Sequence, residues 1–246
     1  MHMKQRHIIA YTDGSSRGNP GPGGWGVVLW YPDDTVLELG GRDEHTTNNK
    51  MELTATIRAL QSAGEYSAPI TIYTDSKYVR DGITSWVHGW QQNGWKTKAK
   101  EDVSNKELWV ELVAEQQRRK QYGSVTWILV PGHSGTPGNE RADSIATEYA
   151  DGKSPMLYTG AFGDYAVDLA EPDEQMLEEQ SKRRSAQRAR SNAKAYAYLS
   201  LVDGKLMRHT TWAECEARVK GKSAKFKKAL SREDEQKILD EWGMSF

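Results

Sequence analysis

The stretch that most constrains the fold is residues 7–26, HIIAYTDGSSRGNPGPGGWG, in which an apolar run meets an acid and then a glycine-rich turn. The consecutive apolar residues 8–11 predict a strand that is buried on both faces. Asp13 follows at the end of this strand, and the glycines and prolines after it exclude a helix. An acid at the mouth of a buried strand is costly unless it is paired or bound to a cation, although a turn acid can also cap backbone amides.

The composition narrows the class of protein. The 246 residues carry 33 Lys and Arg against 34 Asp and Glu, and the mean hydropathy is −0.77. The chain has no apolar run of the roughly 18 residues that a membrane span needs, and its first residues resemble no signal segment. Cys215 is the only cysteine, which excludes an intramolecular disulfide and a cysteine-based zinc site. We therefore expect a cytoplasmic protein that binds no membrane.

The balanced net charge hides two segregated blocks. Residues 164–179 contain seven acids and no Lys or Arg, and residues 182–194 contain six basic residues and no acid. Such blocks are typical of solvated linkers or helices, and a basic block can also contact nucleic acid. We predict a first domain over residues 1–150, a charged linker over 151–194 and a small αβ domain over 195–246.

The first domain shows the element order βββαβα(α)βα. After the opening strand, strands are predicted at 25–31, 35–41, 70–74 and 125–130. This order favours an α/β fold in which an antiparallel meander joins parallel strands through right-handed crossovers.

Three further acids occupy positions that resemble the setting of Asp13. Asp75 directly follows a short apolar strand, and Asp143 lies one turn into a helix predicted from Glu140. Glu52 falls in the first turn of a helix capped by Asn48 or Asn49, where the helix dipole favours a negative charge. Because sites in open α/β sheets lie beyond the carboxyl ends of the parallel strands, these acids could share one rim.

Four acids that share a rim repel one another unless a cation binds them. Mg²⁺ prefers oxygen ligands, and the chain offers no sulfur or multi-histidine set that would favour zinc. Two such ions about 4 Å apart can activate water and stabilise the leaving oxygen of a phosphoryl displacement. Sequence spacing alone does not decide whether the acids converge, and a lone loop histidine such as His133 is usually just solvated.

A polar segment over residues 86–100 carries three tryptophans and three lysines. Exposed tryptophans among lysines suit base stacking and phosphate contact, whereas packing of the segment on its own helix is the alternative. The residues are Trp86, Trp90, Trp95, Lys96, Lys98 and Lys100.

Five motifs together make residues 7–150 resemble a type 1 ribonuclease H, the family that cuts the RNA strand of an RNA–DNA hybrid. In order they are YTDGSSRGNPGPGGWG, TTNNKMEL, YTDSKYV, VSNKELW and VPGHSGTPGNERAD. The resemblance implies an α/β fold with a ribonuclease H-like mixed five-stranded sheet flanked by helices. It also implies hydrolysis with two Mg²⁺ ions, for which Mn²⁺ can substitute, giving 5′-phosphate and 3′-hydroxyl ends.

The resemblance assigns roles to individual residues. The motifs align Asp13, Glu52, Asp75 and Asp143 with the metal-binding carboxylates, and His133 with a mobile histidine that assists proton movement or product release. They align other positions with residues that contact the RNA strand, a DNA phosphate or the groove: Asn19, Thr47, Asn48, Asn49, Lys77, Trp86, Trp90, Lys96, Lys98 and Asn105. At RNA contacts the 2′-hydroxyl distinguishes RNA from DNA.

The tail from residue 195 regains an ordered pattern. Residues 202–205 predict a hairpin turn, Thr211 with Glu214 predicts a capping box, and Ser231 begins the last helix. The tail is similar to a hybrid-binding (viroplasmin-like) domain, although that domain usually precedes the catalytic one. This similarity implies nucleic-acid contacts by Tyr198, Trp212, Lys227 and Lys228. The alternative is that the aromatic residues Trp212 and Phe226 are only the core of a small αβ module.

These observations lead us to expect a monomeric, Mg²⁺-dependent endonuclease that acts on RNA–DNA hybrid duplexes. The competing class is a non-catalytic hybrid-binding protein. It is disfavoured because a pure binder gains nothing from keeping four mutually repelling carboxylates.

Overall fold

The computed structural model describes residues 7–132, 135–173 and 192–245, together with residues 177, 179, 182 and 190. The chain divides into two compact units, Met1–Leu177 and Glu178–Phe246. Within the described residues, no helix has the length and apolar character that crossing a membrane requires.

The first unit is built on a six-stranded mixed sheet with the strand order β5-β4-β1-β2-β3-β6. The first three strands form an antiparallel meander, β4 runs parallel to β1, and β5 runs parallel to β4. The strands are β1 (Ile8–Ser16), β2 (Gly21–Trp30), β3 (Thr35–Thr46), β4 (Ile70–Thr74), β5 (Val125–Leu129) and β6 (Thr159–Ala161). The predicted mixed α/β sheet is confirmed, with one strand more than the five expected.

Helices cover both faces of this sheet. The helices are α1 (Asn48–Ala63), α2 (Lys77–Asp81), α3 (Val87–Gln92), α4 (Lys106–Arg119) and α5 (Pro137–Ala150). A π-helical turn, Gly82–Trp86, joins α2 to α3. Buried side chains of α1 and α4, such as Leu53 and Trp109, pack with Ile8 in one core. On the opposite face Ile145 of α5 packs with Tyr11 in a second core.

The start of α1 differs from the prediction. The cap is Thr47, whose side chain accepts a hydrogen bond from the backbone N–H of Lys50, and not Asn48 or Asn49. Thr47 directly follows β3 and has an extended backbone, so the helix begins at Asn48, one or two residues earlier than predicted. Glu52 therefore lies in the second turn, where the helix dipole offers it little stabilisation.

Strand β1 also differs from the prediction, since it continues past Asp13 to Ser16. Asp13 pairs with Gly26 of β2, so the glycine-rich stretch supplies the neighbouring strand as well as a turn. A Cβ on Gly26 would lie 2.2 Å from the carbonyl oxygen of Ala142 in α5. The glycine is therefore needed for the close packing of α5 on β2.

Part of the segment expected to be a charged linker packs on the first unit. Strand β6 pairs with β3, and Leu169 is fully buried in the core that also contains Tyr11. Most of the basic block over 182–194 lies outside the described residues. The functional domain boundaries at 150 and 195 stay predictions.

The second unit has a three-stranded antiparallel sheet with the order β8-β7-β9. Its elements are β7 (Ala197–Val202), β8 (Lys205–His209), α6 (Trp212–Val219), β9 (Ala224–Ala229) and α7 (Arg232–Trp242). The predicted hairpin turn, the capping box of Thr211 with Glu214 and the helix start at Ser231 are confirmed.

Candidate active site

Asp13 lies on a central strand of the sheet. Strand β1 is paired with β2 on one side and with β4 on the other, which fixes its backbone. The side chain is 6% exposed, and its Oδ1 accepts a 2.7 Å hydrogen bond from the backbone N–H of Gly14. Burial in the sheet thus holds this carboxylate at a defined place.

Glu52 approaches Asp13 from α1. Its side chain is buried, and Oε1 accepts a 3.4 Å hydrogen bond from the side-chain amide of Asn48. Its Oε2 is buried with no hydrogen-bond partner among the described residues. A buried carboxylate oxygen without a partner costs free energy, and a bound cation would remove that cost.

Asp75 directly follows β4. Because β4 is parallel to β1, with Thr74 beside Thr12, Asp75 leaves the sheet next to Asp13. A Cβ on Gly132 would lie 2.2 Å from Oδ2 of Asp75, so the loop after β5 passes close to this carboxylate.

The structure brings these three carboxylates together. Asp13, Glu52 and Asp75 each offer an oxygen atom, and these atoms all lie within 4.8 Å of one another. Three carboxylates offer hard oxygen ligands, and Glu52 also carries a buried oxygen with no hydrogen-bond partner among the described residues, so the group fits a hard divalent cation. These residues could therefore hold such a cation.

The electrostatics of the cluster agree with this geometry. Burial, followed by the charges of Asp75 and Asp143, raises the pKa of Asp13 to about 8. Burial, followed by the charges of Asp13 and Asp75, raises the pKa of Glu52 well above its ordinary value. A cation would reverse this repulsion and favour the ionised carboxylates.

Asp143 lies on α5 near this group. Its charge contributes to the raised pKa of both Asp13 and Glu52, and its Oδ1 accepts a 3.4 Å hydrogen bond from the hydroxyl of Thr147. It is half-buried and lies outside the tight three-carboxylate group. His133, the fifth predicted catalytic residue, lies outside the described residues.

Several predicted contact residues are exposed on the strands and helices that carry or adjoin the three carboxylates. Asn19 is in the turn between β1 and β2, and Asn48 and Asn49 form the first turn of α1 after Thr47. Lys77 is the first residue of α2 and lies 4.0 Å from Asp81. Their side chains are accessible, apart from the half-buried cap Thr47.

The predicted tryptophans lie in the helical region rather than in a loop. Trp86 ends the π-helical turn and Trp90 is on α3, with their ring centroids 5.7 Å apart. Trp90 also packs against the buried Trp109, whereas Trp86 is 39% exposed. Of the two predicted lysines, Lys96 pairs with Asp102 at 2.7 Å. Lys98 is exposed.

Asn105 precedes α4 in a left-handed conformation, with φ of 59°. Its side-chain amide donates a 3.2 Å hydrogen bond to the Tyr78 hydroxyl, which also accepts one from the indole N–H of Trp109 at 3.0 Å. Tyr78 thus ties Asn105 to the tryptophan cluster. The sequence prediction missed this role, although Tyr78 lies next to Lys77 in the YTDSKYV motif.

The second unit gathers three aromatic side chains on one side of its sheet. Ring centroids of Tyr198 and Trp212 are 5.7 Å apart, and those of Trp212 and Phe226 are 5.6 Å apart. Trp212 and Phe226 are 40% and 49% exposed, so they are not a closed core. Sequence reasoning did not select Phe226 as a contact residue.

The two predicted lysines of β9 lie on opposite faces of this sheet. Lys228 pairs across the sheet with Tyr198 and shares its face, since opposed residues point the same way. Lys227 pairs with Leu199, which packs on α7, and its ammonium lies 2.6 Å from a carboxylate oxygen of Glu241. Only Lys228 therefore shares a face with the aromatic residues.

Residues 5–151 match the protein family described as RNase H. The chain is similar to Ribonuclease H of a Ruegeria species, with 54% identity over 157 residues that cover 62% of this chain and 95% of that protein. It is also similar to Ribonuclease H of Brucella anthropi, with 51% identity over 155 residues that cover 63% of this chain and 95% of the relative.

Solved structures show related folds. LC9-RNase H1, a type 1 RNase H with the type 2 active-site motif, is 30% identical with a TM-score of 0.52, covering 77% of this chain and 87% of that chain. A foamy viral protease-reverse transcriptase, solved in complex with an RNA/DNA hybrid, is 21% identical with a TM-score of 0.51. This match covers 59% of this chain and 20% of that chain, and it bears on the fold alone.

Proposed function

Because this chain belongs to the RNase H family, we propose that it is an endonuclease that hydrolyses the RNA strand of RNA–DNA hybrids. The observation that carries this function is the placement of oxygen atoms from Asp13, Glu52 and Asp75 within 4.8 Å of one another. Such a group can hold the cations that phosphodiester hydrolysis needs. The expected products carry 5′-phosphate and 3′-hydroxyl ends.

The residues that would hold Mg²⁺ are Asp13, Glu52, Asp75 and Asp143. When bound, two divalent ions would supply an activated water and would stabilise the charge on the leaving oxygen. Mn²⁺ has the same preference for oxygen ligands and is expected to substitute. Support for a hard cation comes from the all-oxygen donor set and from the orphaned Oε2 of Glu52.

The protein's own groups must prepare this site by losing protons. The pKa of Asp13 is raised to about 8 and that of Glu52 is also raised, so at neutral pH protons compete with the cation for these two carboxylates. Cation binding therefore releases protons and strengthens as the pH rises. We propose that His133 assists proton movement or product release.

Substrate binding is assigned to the exposed polar residues that flank the carboxylates. We propose that Asn19, Asn48, Asn49 and Lys77 contact the RNA strand side of the groove, where 2′-hydroxyls can be recognised. The DNA strand would lie on the other side, with its phosphates and sugars held by Thr47, Asn105, Trp86, Trp90, Lys96 and Lys98. Lysine contacts give affinity without sequence preference and make binding sensitive to salt.

The second unit is proposed to bind the hybrid as well. Its aromatic cluster of Tyr198, Trp212 and Phe226, in which the last two rings are exposed, offers stacking surface. Lys228 adds a positive charge on the same face. The placement of Lys227 beside Glu241 argues against a phosphate contact by that lysine. The boundaries proposed for these activities are residues 1–150 and 195–246, and the charged segment between them includes residues that pack on the first unit.

We further propose that the enzyme is a cytoplasmic monomer. Asp13, Glu52 and Asp75 come together within one chain, so this group needs no residue from a second copy. The single cysteine, Cys215, is a buried free thiol, which is compatible with a reducing compartment.

Cleavage assays with matched duplexes test this function. A labelled RNA–DNA hybrid, the RNA duplex and the DNA duplex of the same sequence would be incubated with Mg²⁺, with Mn²⁺ and with a chelator. We expect cleavage of the hybrid's RNA strand alone, only with a divalent ion, and ends that a kinase can label only after phosphate removal. Binding of the hybrid without cleavage in any metal would favour the non-catalytic alternative.

A further inference from the structure

The segment over residues 156–171, called the strap here, crosses the face of the sheet that carries α5. It lies beyond residues 5–151, the part of the chain that matches the RNase H family. Strand β6 within the strap pairs with β3, with Val36 opposite Gly160. The ring of Phe162 stacks on Trp30 of β2, with centroids 4.1 Å apart and an interplanar angle of 20°. The strap is therefore bound to the sheet by backbone and side-chain contacts.

Glu38 of β3 is the main anchor of the strap. It is 2% exposed, and its carboxylate accepts a hydrogen bond from the backbone N–H of Tyr158 at 2.9 Å and one from the Tyr165 hydroxyl at 2.5 Å. Burial alone would raise the pKa of Glu38, but hydrogen bonds from Arg141, Tyr165 and the backbone of Tyr158 outweigh it and lower the pKa. The carboxylate is thus charged at neutral pH, and its hydrogen bonds are the strong, charge-assisted kind.

The same carboxylate holds α5. Arg141 donates two 2.7 Å hydrogen bonds to Glu38, from Nε and Nη2, and its Nη2 also donates to the carbonyl oxygen of Met156 at 2.9 Å. Arg141 lies two residues before Asp143 on α5. Glu38 therefore joins the strap to the turn of the helix that carries Asp143.

The C-terminal end of the strap contacts strands β1 and β4, which lead to Asp13 and Asp75. Leu169 is fully buried, and the carbonyl oxygen of Ala170 accepts a 3.2 Å hydrogen bond from the Tyr11 hydroxyl. Glu171 accepts a 3.2 Å hydrogen bond from the Tyr73 hydroxyl. The rings of Tyr11 and Tyr73 stack with centroids 5.0 Å apart, on the neighbouring strands β1 and β4.

These two tyrosines lead directly to the acidic site. Tyr11 lies two residues before Asp13, and Tyr73 lies two residues before Asp75. Alternate residues of a strand point to the same face, so Tyr11 and Asp13 share the face on which the strap lies. The strap thus contacts three residues, Tyr11, Tyr73 and Arg141. Each lies two residues before one of the acids Asp13, Asp75 and Asp143.

We propose that the strap is a positioning element of the catalytic unit, and that Tyr165 and Tyr11 are the positioning residues through which it holds the acidic site. This inference rests on the proposed metal-binding role of that site. Asp13 must be ionised beside Asp75 and Asp143 to bind a cation, so the backbones of these acids must be held in place against the repulsion between like charges. Supporting contacts of this kind tune metal affinity in other sites without touching the metal.

The test uses full-length Tyr165→Phe and Tyr11→Phe, each of which removes one hydroxyl and keeps the ring. Tyr31→Phe is the matched control, because the Tyr31 hydroxyl donates a 2.9 Å hydrogen bond to the carbonyl oxygen of Ser62 on the opposite face of the sheet. Binding of Mg²⁺ alone, without nucleic acid, is measured by calorimetry. Thermal unfolding and the kcat and KM for the hybrid at saturating Mg²⁺ are measured in parallel.

We expect both strap variants to bind Mg²⁺ about fivefold more weakly, the effect of losing about one net hydrogen bond. KM for the hybrid should be unchanged, because the groove residues are not touched. Tyr31→Phe should lower the unfolding temperature by about as much as the two strap variants do, and it should leave Mg²⁺ affinity unchanged. Strap variants that lose thermal stability but bind Mg²⁺ as the parent does would overturn the proposal.

The design separates this inference from the proposed function. A parent protein that binds Mg²⁺ but does not cleave the hybrid would contradict the function and leave the strap to be judged on Mg²⁺ affinity alone. A parent that cleaves the hybrid, with strap variants of unchanged Mg²⁺ affinity, would contradict only the strap's role.

Discussion

Gly14 lies directly against the backbone of Glu52: a Cβ on Gly14 would be 2.2 Å from the Glu52 nitrogen and 2.8 Å from its Cα. No flexible side chain can move aside to relieve such a contact, because the opposing atoms belong to α1. We predict that Gly14→Ala pushes α1 away from β1, costs about 1–3 kcal/mol or more of stability, and lowers cleavage activity further than the loss of folded protein explains. Urea unfolding and the Mg²⁺ dependence of cleavage measure the two effects.

Gly89→Ala is the matched control for this substitution. Gly89 lies in helix α3, and a Cβ there would meet no atom within 4 Å. Alanine should therefore leave stability unchanged or raise it by up to about 1 kcal/mol. Equal destabilisation by both substitutions would contradict the close approach of Gly14 to Glu52.

The raised pKa of Asp13 gives a pH-dependent prediction for the metal-free protein. The folded state keeps a proton on Asp13 up to a pH of about 8, whereas the unfolded chain loses it near the ordinary value of 3.8. Between these values the folded state binds more protons, so its stability falls as the pH rises. Asp13→Asn cannot titrate, so the variant should gain stability relative to the parent across this range.

Unfolding with a chelator present, at several pH values between about 4 and about 8, tests the direction of this effect. Adding Mg²⁺ should then reverse the ranking, because the ion stabilises only a protein that binds it. A stability difference between parent and variant that does not change with pH would contradict the raised pKa.

The two lysines of the segment 86–100 should differ in their effect on binding. Lys96 is already paired with Asp102 at 2.7 Å, whereas Lys98 is exposed. We predict that Lys98→Ala reduces the slope of log affinity against log salt by about one, as expected for one lost phosphate contact. Lys96→Ala should change the slope less. Equal slopes for both variants, measured by hybrid binding across salt concentrations, would contradict this difference.

The second unit offers a comparison between its two faces. Trp212→Ala removes an exposed ring from the aromatic cluster, and Lys227→Ala removes a side chain that is paired with Glu241 on the opposite face. We expect Trp212→Ala to weaken hybrid affinity about tenfold, in line with the loss of one stacked base. Lys227→Ala should bind as the parent does. A larger loss of affinity for Lys227→Ala than for Trp212→Ala would place the binding surface on the α7 face and contradict this prediction.

Much of the catalytic unit could be predicted because its acids follow local patterns. Asp75 comes after a short apolar run, and this local order was enough to place it at the end of a parallel strand. The position of Asp13 within β1 was not predicted, because glycine has a low preference for strands. Gly24, which was assigned to the turn, is nevertheless in strand β2, where its missing side chain lets α5 pack close to the sheet.

The strap could not be predicted, for a different reason. Its apolar residues, such as Leu169, have neither the period of a helix nor that of a strand, and acids surround them. Its anchor, Glu38, is more than a hundred residues away in the sequence from Tyr158 and Tyr165. Composition therefore favoured a linker, because no local pattern reports a contact of such long range.

The most direct test of the central claim is hybrid cleavage and hybrid binding by Asp13→Asn, measured side by side. Asp34→Asn is the control, because Asp34 is an exposed turn residue with φ of 64°, a conformation that asparagine also adopts. We predict that Asp13→Asn loses cleavage in both Mg²⁺ and Mn²⁺ and still binds the hybrid, while Asp34→Asn cleaves as the parent does. Cleavage by Asp13→Asn at the parent's rate would contradict the account.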